Sequence, residues 1–394
     1  MKSAYGMTIP PEDAELTHVG PGTPCGELLR RYWHPVCLSE DLKDLPKRVR
    51  VLGEDLVAFR DGKGRVGLMF YRCSHRGTSL EYGRVEESGL RCCYHGWLYD
   101  VEGKVLEMPL QTEAGSRAQQ IQHPCYPVRE QMGLVFAYMG PLEKMPLLPR
   151  YDIWADTAGG TYRATMGPRV AGASNCNWLQ SQENLMDPLH SVWLHSRHSR
   201  LQFPSEHYAL MPEVRYEETE MGIWTLMRRT LPDGRQWDVM WELLMPMTAH
   251  LVHSEVPKSE KTRTIHFCVP VDDTHQVCAS VRWIPPGGDI RTARDKLAPA
   301  SREDASYEHT QRYPDDKEAQ EGQGPIAVHG LEHPMSSDRG VVMLRRILRR
   351  EIGAVRRGQD PKGVLRDPEK AGCVPTNAGG VIRAPSVTAA AGAG

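Results

Sequence analysis

The stretches Cys73-Ser74-His75 and Cys92-Cys93-Tyr94-His95 decide the fold of this chain. Each stretch carries a cysteine and a histidine at short spacing, and sixteen residues separate His75 from Cys92. Structural zinc sites also combine two cysteines with two histidines, but they normally pair cysteine with cysteine and histidine with histidine. The order Cys, His, Cys, His therefore indicates two loops that each give one residue of each type to a shared metal centre.

A [2Fe–2S] cluster with two imidazole ligands explains this mixture of residue types. Such a cluster takes four protein ligands, and two neutral imidazoles in place of two thiolates remove negative charge and raise the reduction potential. Glycines follow both stretches, at Gly77 and Gly96, which suits a backbone that folds tightly around a cluster. Cys93 is the alternative to Cys92 as the second thiolate, and the two-residue spacing to His95 favours Cys92.

Composition places the chain among globular proteins with two domains. Its 394 residues are enough for two ordinary hydrophobic cores. A hydrophobic content of 40% and a net charge of -2 give no overall field that would attract nucleic acid or an acidic membrane. We expect a cytoplasmic protein, because no stretch resembles a signal peptide or a membrane span and ten cysteines fall far below the density of a disulfide scaffold.

Strand and turn signals divide the chain into three parts. Short β-like runs broken by glycine and aspartate turns predict a small β domain around the first metal centre, within residues 1–145. A stretch rich in proline and glycine at 140–149 predicts the boundary to a second domain, 146–358. This domain contains strand-like runs and an amphipathic helix at 341–355. Residues 359–394 predict a disordered or loosely draped C-terminal tail.

One sequence motif imitates a nucleotide-binding site. Residues 62–67 match the dinucleotide fingerprint, but that motif requires a helix to follow, and the residues after it are strand-like. A hairpin turn is the better interpretation. The chain also lacks the cysteine spacing of a plant-type iron–sulfur cluster. Reducing equivalents must therefore enter from a separate partner protein.

A second metal centre is indicated by His190 and His195, which lie five residues apart in a helix-like segment. A five-residue step in a straight α-helix rotates by about 140°, so the two imidazoles could share a target only if the helix is distorted. Pro188 supplies a reason for distortion, because it lacks a backbone donor and crowds the preceding turn. With one carboxylate, two such histidines form the facial triad of non-haem Fe(II). His198 is a competing partner, and ordinary structural histidines are the alternative to a metal site.

The cluster stretches and the run Asp187-x-x-His190-x-x-x-x-His195 together resemble the Rieske non-haem iron aromatic ring-hydroxylating oxygenase α subunits. Residues 30–36 and 50–60 resemble the phthalate-dioxygenase-like group in particular, whereas residues 183–184 depart from the phthalate pattern and leave the substrate open. The resemblance implies an α+β protein. An N-terminal all-β Rieske domain would precede an α+β catalytic domain, in which an antiparallel sheet wraps around helices in the helix-grip manner.

The resemblance also assigns roles to individual residues. Cys73 and Cys92 would hold one iron of the Rieske cluster, and His75 and His95 the other. Asp187 would accept hydrogen bonds from the mononuclear iron ligand His190 and from the cluster ligand His95 of a neighbouring subunit, and so carry electrons across the interface.

The mononuclear Fe2+ would be bound by His190, His195 and a carboxylate from the region 314–326. Asp316 aligns best as this third ligand, and Asp315 and Glu321 are its alternatives. Acidic residues are also favoured at the start of any helix, which is the structural explanation for this cluster of carboxylates.

By this resemblance the protein is the terminal oxygenase of a system that uses O2 and electrons from NAD(P)H, delivered by a separate reductase, to hydroxylate an aromatic compound. An aromatic carboxylate undergoing ring dihydroxylation is the leading expectation, and O-demethylation of a methoxylated aromatic is the alternative. Proteins of other classes are a Rieske electron carrier with a ligand-binding domain, and a regulatory protein with a redox-sensing cluster. We expect a homotrimer or a hexamer of trimers, without nucleic acid or membrane partners.

Overall fold

Hydrophobic runs separated by tight turns fold into three small antiparallel sheets in the first part of the chain. The computed structural model describes residues 5–111, 118, 120–155, 159–167, 174–199, 206–251, 264–284, 286–287 and 306–384. The three sheets have the strand orders β1-β10-β9, β2-β3-β4 and β5-β6-β7-β8. Their strands are β1 (Trp33–Leu38), β2 (Lys47–Val51), β3 (Glu54–Arg60), β4 (Val66–Phe70), β5 (Arg84–Glu86), β6 (Gly89–Arg91), β7 (Leu98–Tyr99), β8 (Val105–Glu107), β9 (Val128–Gln131) and β10 (Leu134–Tyr138).

The residues that imitate a dinucleotide fingerprint form the turn between β3 and β4. Gly64 has a φ of +80° and donates its backbone N–H to the carbonyl of Asp61 at 2.9 Å. The two strands pair directly with each other and no helix follows, so the prediction of a hairpin is confirmed.

One large antiparallel sheet dominates the second part of the chain. Its strand order is β11-β17-β16-β15-β14-β13-β12, and β18 pairs with β14. These strands are β11 (Thr161–Gly167), β12 (Glu213–Glu218), β13 (Gly222–Thr230), β14 (Gln236–Leu244), β15 (Thr248–His250), β16 (Thr264–Asp272), β17 (His275–Ile284) and β18 (Gly379–Arg383). The strand-like runs predicted for the second domain are therefore present as strands of one sheet, and the α+β fold class is confirmed.

The described residues also form a set of helices. They are α1 (Ala14–Thr17), α2 (Pro24–Leu29), α3 (Trp178–Leu185), a π-helix (Ser191–His198), α4 (Tyr307–Arg312), α5 (Asp316–Glu321), α6 (Arg339–Arg356) and α7 (Pro368–Gly372). The predicted amphipathic helix is α6, whose apolar side buries Leu344, Ile347, Leu348 and Ile352. No helix among the described residues is long and apolar enough to cross a membrane.

The two faces of the sheet have different neighbours. Residues directly opposite each other on antiparallel strands share a face, so Cys268 and Cys278 lie on one side and Phe267 on the other. Phe267 packs against Phe136 of the first part of the chain, with ring centroids 5.6 Å apart. The opposite face packs against α3, where Gln276 of β17 donates a hydrogen bond to Ser181. Helix α3 therefore lies on the sheet face that points away from the three small sheets of the same chain.

Described residues near both ends of the sequence contact the second domain. At the N-terminus, Arg349 of α6 forms ion pairs with Asp13 and, at 2.6 Å, with Glu15. At the other end, β18 pairs with β14, and Val374 is buried. The prediction of a disordered or loosely draped tail is therefore wrong for residues 359–384, while 385–394 lie outside the described residues. The boundary at residue 145 stays a prediction.

Candidate metal centres

The two Cys/His loops share one backbone hydrogen-bond pattern. Gly77 donates its N–H to the carbonyl of Cys73 at 2.8 Å, and Gly96 donates to the carbonyl of Cys92 at 3.1 Å. In both loops the cysteine N–H donates to the carbonyl five residues further on, at 2.9 and 2.8 Å. The glycines have φ values of +75° and +74°, a conformation that side chains with a Cβ disfavour. Two similar stretches of sequence therefore form two equivalent turns.

These turns bring the four predicted cluster ligands together. The rings of His75 and His95 lie with their centroids 4.4 Å apart. The thiols of Cys73 and Cys92 contact each other, and this contact lowers the pKa of Cys92 to about 6. Both thiols are buried, whereas Cys93 is exposed. The geometry therefore favours Cys92 over its neighbour as the second thiolate.

Two properties of this pocket fit an iron–sulfur cluster. Nδ1 of His75 is buried and has no hydrogen-bond partner among the described residues. An unsatisfied buried nitrogen is costly, and coordination to iron would remove that cost. The second property is the paired thiols, because a thiolate needs a positive neighbour or a metal when it is buried. Cys73, His75, Cys92 and His95 therefore suit the [2Fe–2S] group that their spacing predicts.

Aromatic residues close the pocket around the cluster ligands. Trp97 stacks on the ring of His75, with centroids 4.7 Å apart and an interplanar angle of 10°. The hydroxyl of the fully buried Tyr99 lies 3.0 Å from Sγ of Cys73. Hydrogen bonds to cluster sulfurs help to set the reduction potential. The sequence analysis missed Tyr99, although the alternation of Trp97 and Tyr99 after the second loop was a signal for two inward-facing rings.

The helix that carries His190 and His195 is interrupted where Pro188 predicts. Helix α3 ends at Leu185, and the chain resumes as a π-helix that begins at Ser191. Backbone hydrogen bonds in a π-helix join residues five apart, so His190 and His195 come to lie on the same side of the helix. Their ring centroids are 5.1 Å apart. The π-helix is the form of distortion that the five-residue spacing required.

The carboxylate of Asp316 lies close to both histidines of the second predicted metal centre. Its Oδ1 lies 3.1 Å from Nε2 of His195 and 3.4 Å from Nε2 of His190. Nδ2 of Asn184 donates to the same oxygen at 3.2 Å. The ligand atoms of His190, His195 and Asp316 all lie within 4.8 Å of one another, a spacing that could hold one metal ion. Two imidazoles and one carboxylate are the donor set of a non-haem Fe(II) facial triad.

The alternatives to these ligands have other contacts. Asp315 caps helix α5 and lies with its Oδ1 3.3 Å from Nδ1 of His195, so it can hold the imidazole with Nε2 turned to the metal. Glu321 accepts hydrogen bonds from the backbone amides of residues 174–175 at 3.0 Å. His198 is exposed. Of the residues weighed from sequence, Asp316 is therefore the carboxylate that geometry places with both histidines.

Electrostatics in this site suit a cation. Burial lowers the pKa of His195, but hydrogen bonds to Asp315 and Asp316 outweigh this effect and raise it to about 9. Asp316 is desolvated, yet its contacts with His190 and His195 hold its pKa well below the usual range. The site therefore holds a positive charge beside its carboxylates, and a divalent ion supplies such a charge directly.

Asp187 lies where α3 gives way to the π-helix. Nδ1 of His190 hydrogen-bonds to the backbone carbonyl of Asp187, and the carboxylate instead accepts from the backbone N–H of Leu189 at 3.1 Å. The predicted contact with His190 thus exists but runs through the main chain. Burial raises the pKa of Asp187. Its side chain borders an open surface cavity of about 530 Å3 that Asn184, Val341 and Arg345 also line.

A second group of potential metal ligands on this surface is paired with an arginine. Glu183, His329 and Glu332 are spaced closely enough to hold a metal ion. Arg345, however, donates to Glu183 at 2.7 Å and to Glu332 at 2.6 Å. The guanidinium pairs with both carboxylates, so this group is an ion-pair network that joins α3 to α6.

Comparisons with known proteins agree with both metal centres. The family model of the Rieske [2Fe-2S] domain matches residues 32–127, which contain the two Cys/His loops. The α subunit of phenoxybenzoate dioxygenase from Ectopseudomonas oleovorans is 44% identical over 373 residues, which cover 92% of this chain and 90% of that protein. The oxygenase subunit of a tert-butanol monooxygenase and tert-amyl alcohol desaturase from Aquincola tertiaricarbonis is 39% identical over 370 residues, covering 87% and 77%.

More distant comparisons extend the same pattern. The oxygenase subunit of phthalate 4,5-dioxygenase from Pseudomonas putida is 32% identical over 400 residues, covering 91% of this chain and 89% of that protein. Among solved structures, the QL mutant of NdmA from Pseudomonas putida CBB5 superposes with a TM-score of 0.64 at 21% identity, over 92% of this chain and 98% of that chain. The chain therefore belongs to the Rieske non-haem iron oxygenases, which carry a Rieske [2Fe–2S] cluster and a mononuclear iron, as an oxygenase α subunit of the phthalate-dioxygenase-like group.

Proposed function

We propose that the chain is the terminal component of a system that oxygenates an aromatic carboxylate, with dihydroxylation of the ring as its reaction. The convergence of His190, His195 and Asp316 carries this proposal, because it offers three protein ligands and leaves the remaining iron positions free. The named substrates of two of the relatives, phenoxybenzoate and phthalate, are both aromatic carboxylates. Electrons from NAD(P)H would arrive through a separate reductase.

Each group of residues has a distinct task in this proposal. Cys73, Cys92, His75 and His95 would hold the cluster, and His190, His195 and Asp316 would hold the mononuclear iron. When bound, the cluster supplies single electrons and the iron supplies the centre at which O2 is reduced. Asp315 orients the imidazole of His195 through Nδ1, and Asn184 donates to the carboxylate of Asp316, so both fix ligand geometry.

Asp187 would connect the two centres across a subunit boundary. Its position beside an open cavity suits contact with another chain, and His95, which like His75 is partly exposed, could approach it. A homotrimer, or a hexamer of trimers, would place His95 of one subunit against Asp187 of the next. The carboxylate would then accept a hydrogen bond from the incoming imidazole.

The direct test is turnover with a surrogate reductase, NADH and a panel of aromatic acids and methoxyarenes. Ring dihydroxylation predicts diol products and substrate-dependent O2 uptake without formaldehyde. Formaldehyde with a phenolic product would support the O-demethylating monooxygenase instead. If no aromatic compound stimulates O2 uptake while the cluster is fully reduced, the proposed function is wrong.

Iron content separates the oxygenase from an electron carrier with a ligand-binding domain. The oxygenase predicts about three iron atoms per chain, two in the cluster and one in the triad, and the carrier predicts about two. The same preparation can be examined by sedimentation to determine whether trimers form.

The bridging role of Asp187 has its own test. Asp187→Ala should keep both metal centres but slow reoxidation of the reduced cluster in a single turnover with substrate and O2. Exposed Glu217, replaced by alanine, is the matched control for loss of a carboxylate. Unchanged reoxidation in Asp187→Ala would rule the bridge out.

A further inference from the structure

Arg229 is a fully buried cation that has no acidic partner in the part of the chain that the structure describes. Its side chain on β13 has 0% exposure, and Nη1 and Nη2 have no hydrogen-bond partner among the described residues. Only Nε is satisfied, by the carbonyl of Leu210 at 3.1 Å. Burial lowers the pKa of Arg229 to about 10, which still leaves it charged at neutral pH. Buried charges are normally paired, and the described residues offer this guanidinium no anion.

The neighbouring arginine shows what a paired guanidinium looks like in this sheet. Arg228 points to the opposite face and donates to both carboxylate oxygens of Asp238, at 2.7 and 2.8 Å. The chain thus supplies Arg228 with a carboxylate that accepts two hydrogen bonds from the guanidinium. It supplies none among its described residues for Arg229.

Two aromatic rings hold the guanidinium of Arg229. Its Cζ lies 5.2 Å from the ring centroid of Tyr208 and 5.4 Å from that of Trp237. Contacts of this kind use the face of the guanidinium and leave its in-plane N–H groups free. Two parallel N–H groups are the geometry that binds a carboxylate in a bidentate manner.

Further unsatisfied polar atoms lie on the same face of the sheet. Oγ1 of Thr225 and Nε1 of Trp241 are buried without hydrogen-bond partners among the described residues. Thr225 lies opposite Trp241, and Arg229 lies opposite Trp237, so all four side chains share one face of β13 and β14. Three unsatisfied polar groups on one surface mark it as a surface made for a polar ligand, since native interiors leave few such groups unpaired.

The helix that carries the iron ligands crosses this same face. Near its start, Tyr216, which lies opposite Thr225, donates its hydroxyl to the carbonyl of Met186 at 3.2 Å. Near its end, Arg197 donates to the carbonyl of Ala209 at 2.8 Å.

Ala209 adjoins Leu210, the acceptor of Arg229. The segment from Met186 to Arg197, which contains most of the π-helix, therefore runs from the level of Thr225 to the level of Arg229, positions that strand geometry separates by about 13 Å. His190 and His195 lie along this path.

We propose that Arg229 binds the carboxylate of the aromatic substrate, with Tyr208 and Trp237 holding the guanidinium in place. This inference rests on the proposed function and names the substrate group that the site recognises. The carboxylate would lie on Nη1 and Nη2, and the ring would extend along the face of β13 and β14 towards the histidines of the π-helix.

The experiment compares an acid with its uncharged amide. Anaerobic equilibrium dialysis of the holoenzyme, without reductase, measures the binding of 3-phenoxybenzoate and 3-phenoxybenzamide. Arg229→Met should weaken binding of the acid by about 10- to 100-fold, the range for loss of hydrogen bonds to a charged group, and leave the amide unchanged. Arg229→Lys keeps the positive charge but lacks two parallel N–H groups. Its affinity for the acid should therefore lie between those of the unchanged protein and Arg229→Met.

Arg228→Met is the matched control, because it removes the adjacent guanidinium from the opposite face while Arg383 still pairs with Asp238 at 3.0 Å. In this control, the ratio of the dissociation constants for the acid and the amide should equal that of the unchanged protein. An unchanged ratio of the two dissociation constants in Arg229→Met would overturn the proposal. A lower melting temperature of that variant would then indicate that Arg229 has a structural role. Failure of the proposed function looks different: the acid binds through Arg229, but no oxygenated product forms with a reductase.

Discussion

Removal of one hydroxyl group should change the reduction potential of the cluster. Tyr99 is fully buried, and its hydroxyl lies 3.0 Å from Sγ of Cys73. When Cys73 is a cluster ligand it carries negative charge, so the tyrosine is the donor. The sulfur becomes more negative when the cluster accepts an electron, and the hydrogen bond is then stronger. Tyr99→Phe should therefore destabilise the reduced cluster more than the oxidised cluster and lower its potential.

The size of the change follows from the strength of such a bond. A hydrogen bond to a charged group contributes about 1.5–3 kcal/mol, and only the difference between the two oxidation states changes the potential. If that difference is about 1 kcal/mol, the potential falls by about 40 mV, since a tenfold change corresponds to about 59 mV for one electron. Burial prevents water from replacing the lost donor, which argues against a smaller shift.

A redox titration followed by visible and electron paramagnetic resonance spectra measures this shift. Tyr94→Phe is the matched control, because Tyr94 is 56% exposed and its ring lies against His95, yet its hydroxyl has no part in the contacts of Cys73. The control should leave the potential unchanged. A potential in Tyr99→Phe that equals the control, or that rises, would refute the assignment of Tyr99 as a donor to the cluster.

Three further variants test other parts of the structure. Cys92→Ser should abolish the visible absorption of the cluster and Cys93→Ser should preserve it, because only the first thiol is buried beside Cys73; the reverse result would exchange the two ligands. His190→Ala should bind about one iron atom fewer per chain while the cluster spectrum is kept, and exposed His198→Ala should lose none. The hydrogen bonds of Arg228 and the pairing with Arg383 hold the pKa of Asp238 below its usual value, so the free energy of unfolding that this carboxylate contributes is present above about pH 4 and lost below it. Urea unfolding of Asp238→Asn at pH 3 and pH 6 should therefore differ less than that of the unchanged protein, and an equal difference would contradict the role of the ion pair.

The cluster loops could be predicted because all of their information is local. Cys73 and His75 lie on one turn, as do Cys92 and His95, and the residue types alone limit the metal chemistry. The aromatic shell was harder to predict. Trp97 and Tyr99 act on the cluster across the second turn and the strand that follows it, and nothing in their spacing reveals which sulfur receives the hydroxyl.

Contacts between distant parts of the chain escaped the sequence analysis. The tail after residue 359 has the composition of a flexible segment, yet β18 completes a sheet by pairing with β14, which precedes it by more than a hundred residues. Its backbone donors and acceptors are satisfied by that partner, which composition cannot reveal. Arg229 was missed for a related reason. Strand alternation predicts that Arg228 and Arg229 face opposite sides, but only the folded sheet shows that Arg228 binds Asp238 while Arg229 has no carboxylate among the described residues.

The adjacent acids Asp315 and Asp316 show how the backbone divides two tasks between identical side chains. Asp315 begins α5, where its carboxylate caps the helix and faces Nδ1 of His195. The carboxylate of Asp316, the next residue, faces Nε2 of His190 and of His195. Because the capping bonds fix the first turn of α5, they also fix the direction of Asp316. The π-helix does the same for His190 and His195, which hydrogen bonds five residues apart bring to one side. The proposed facial triad would thus depend on two backbone features, a helix cap and a proline-interrupted π-helix, that the three ligand residues themselves do not encode.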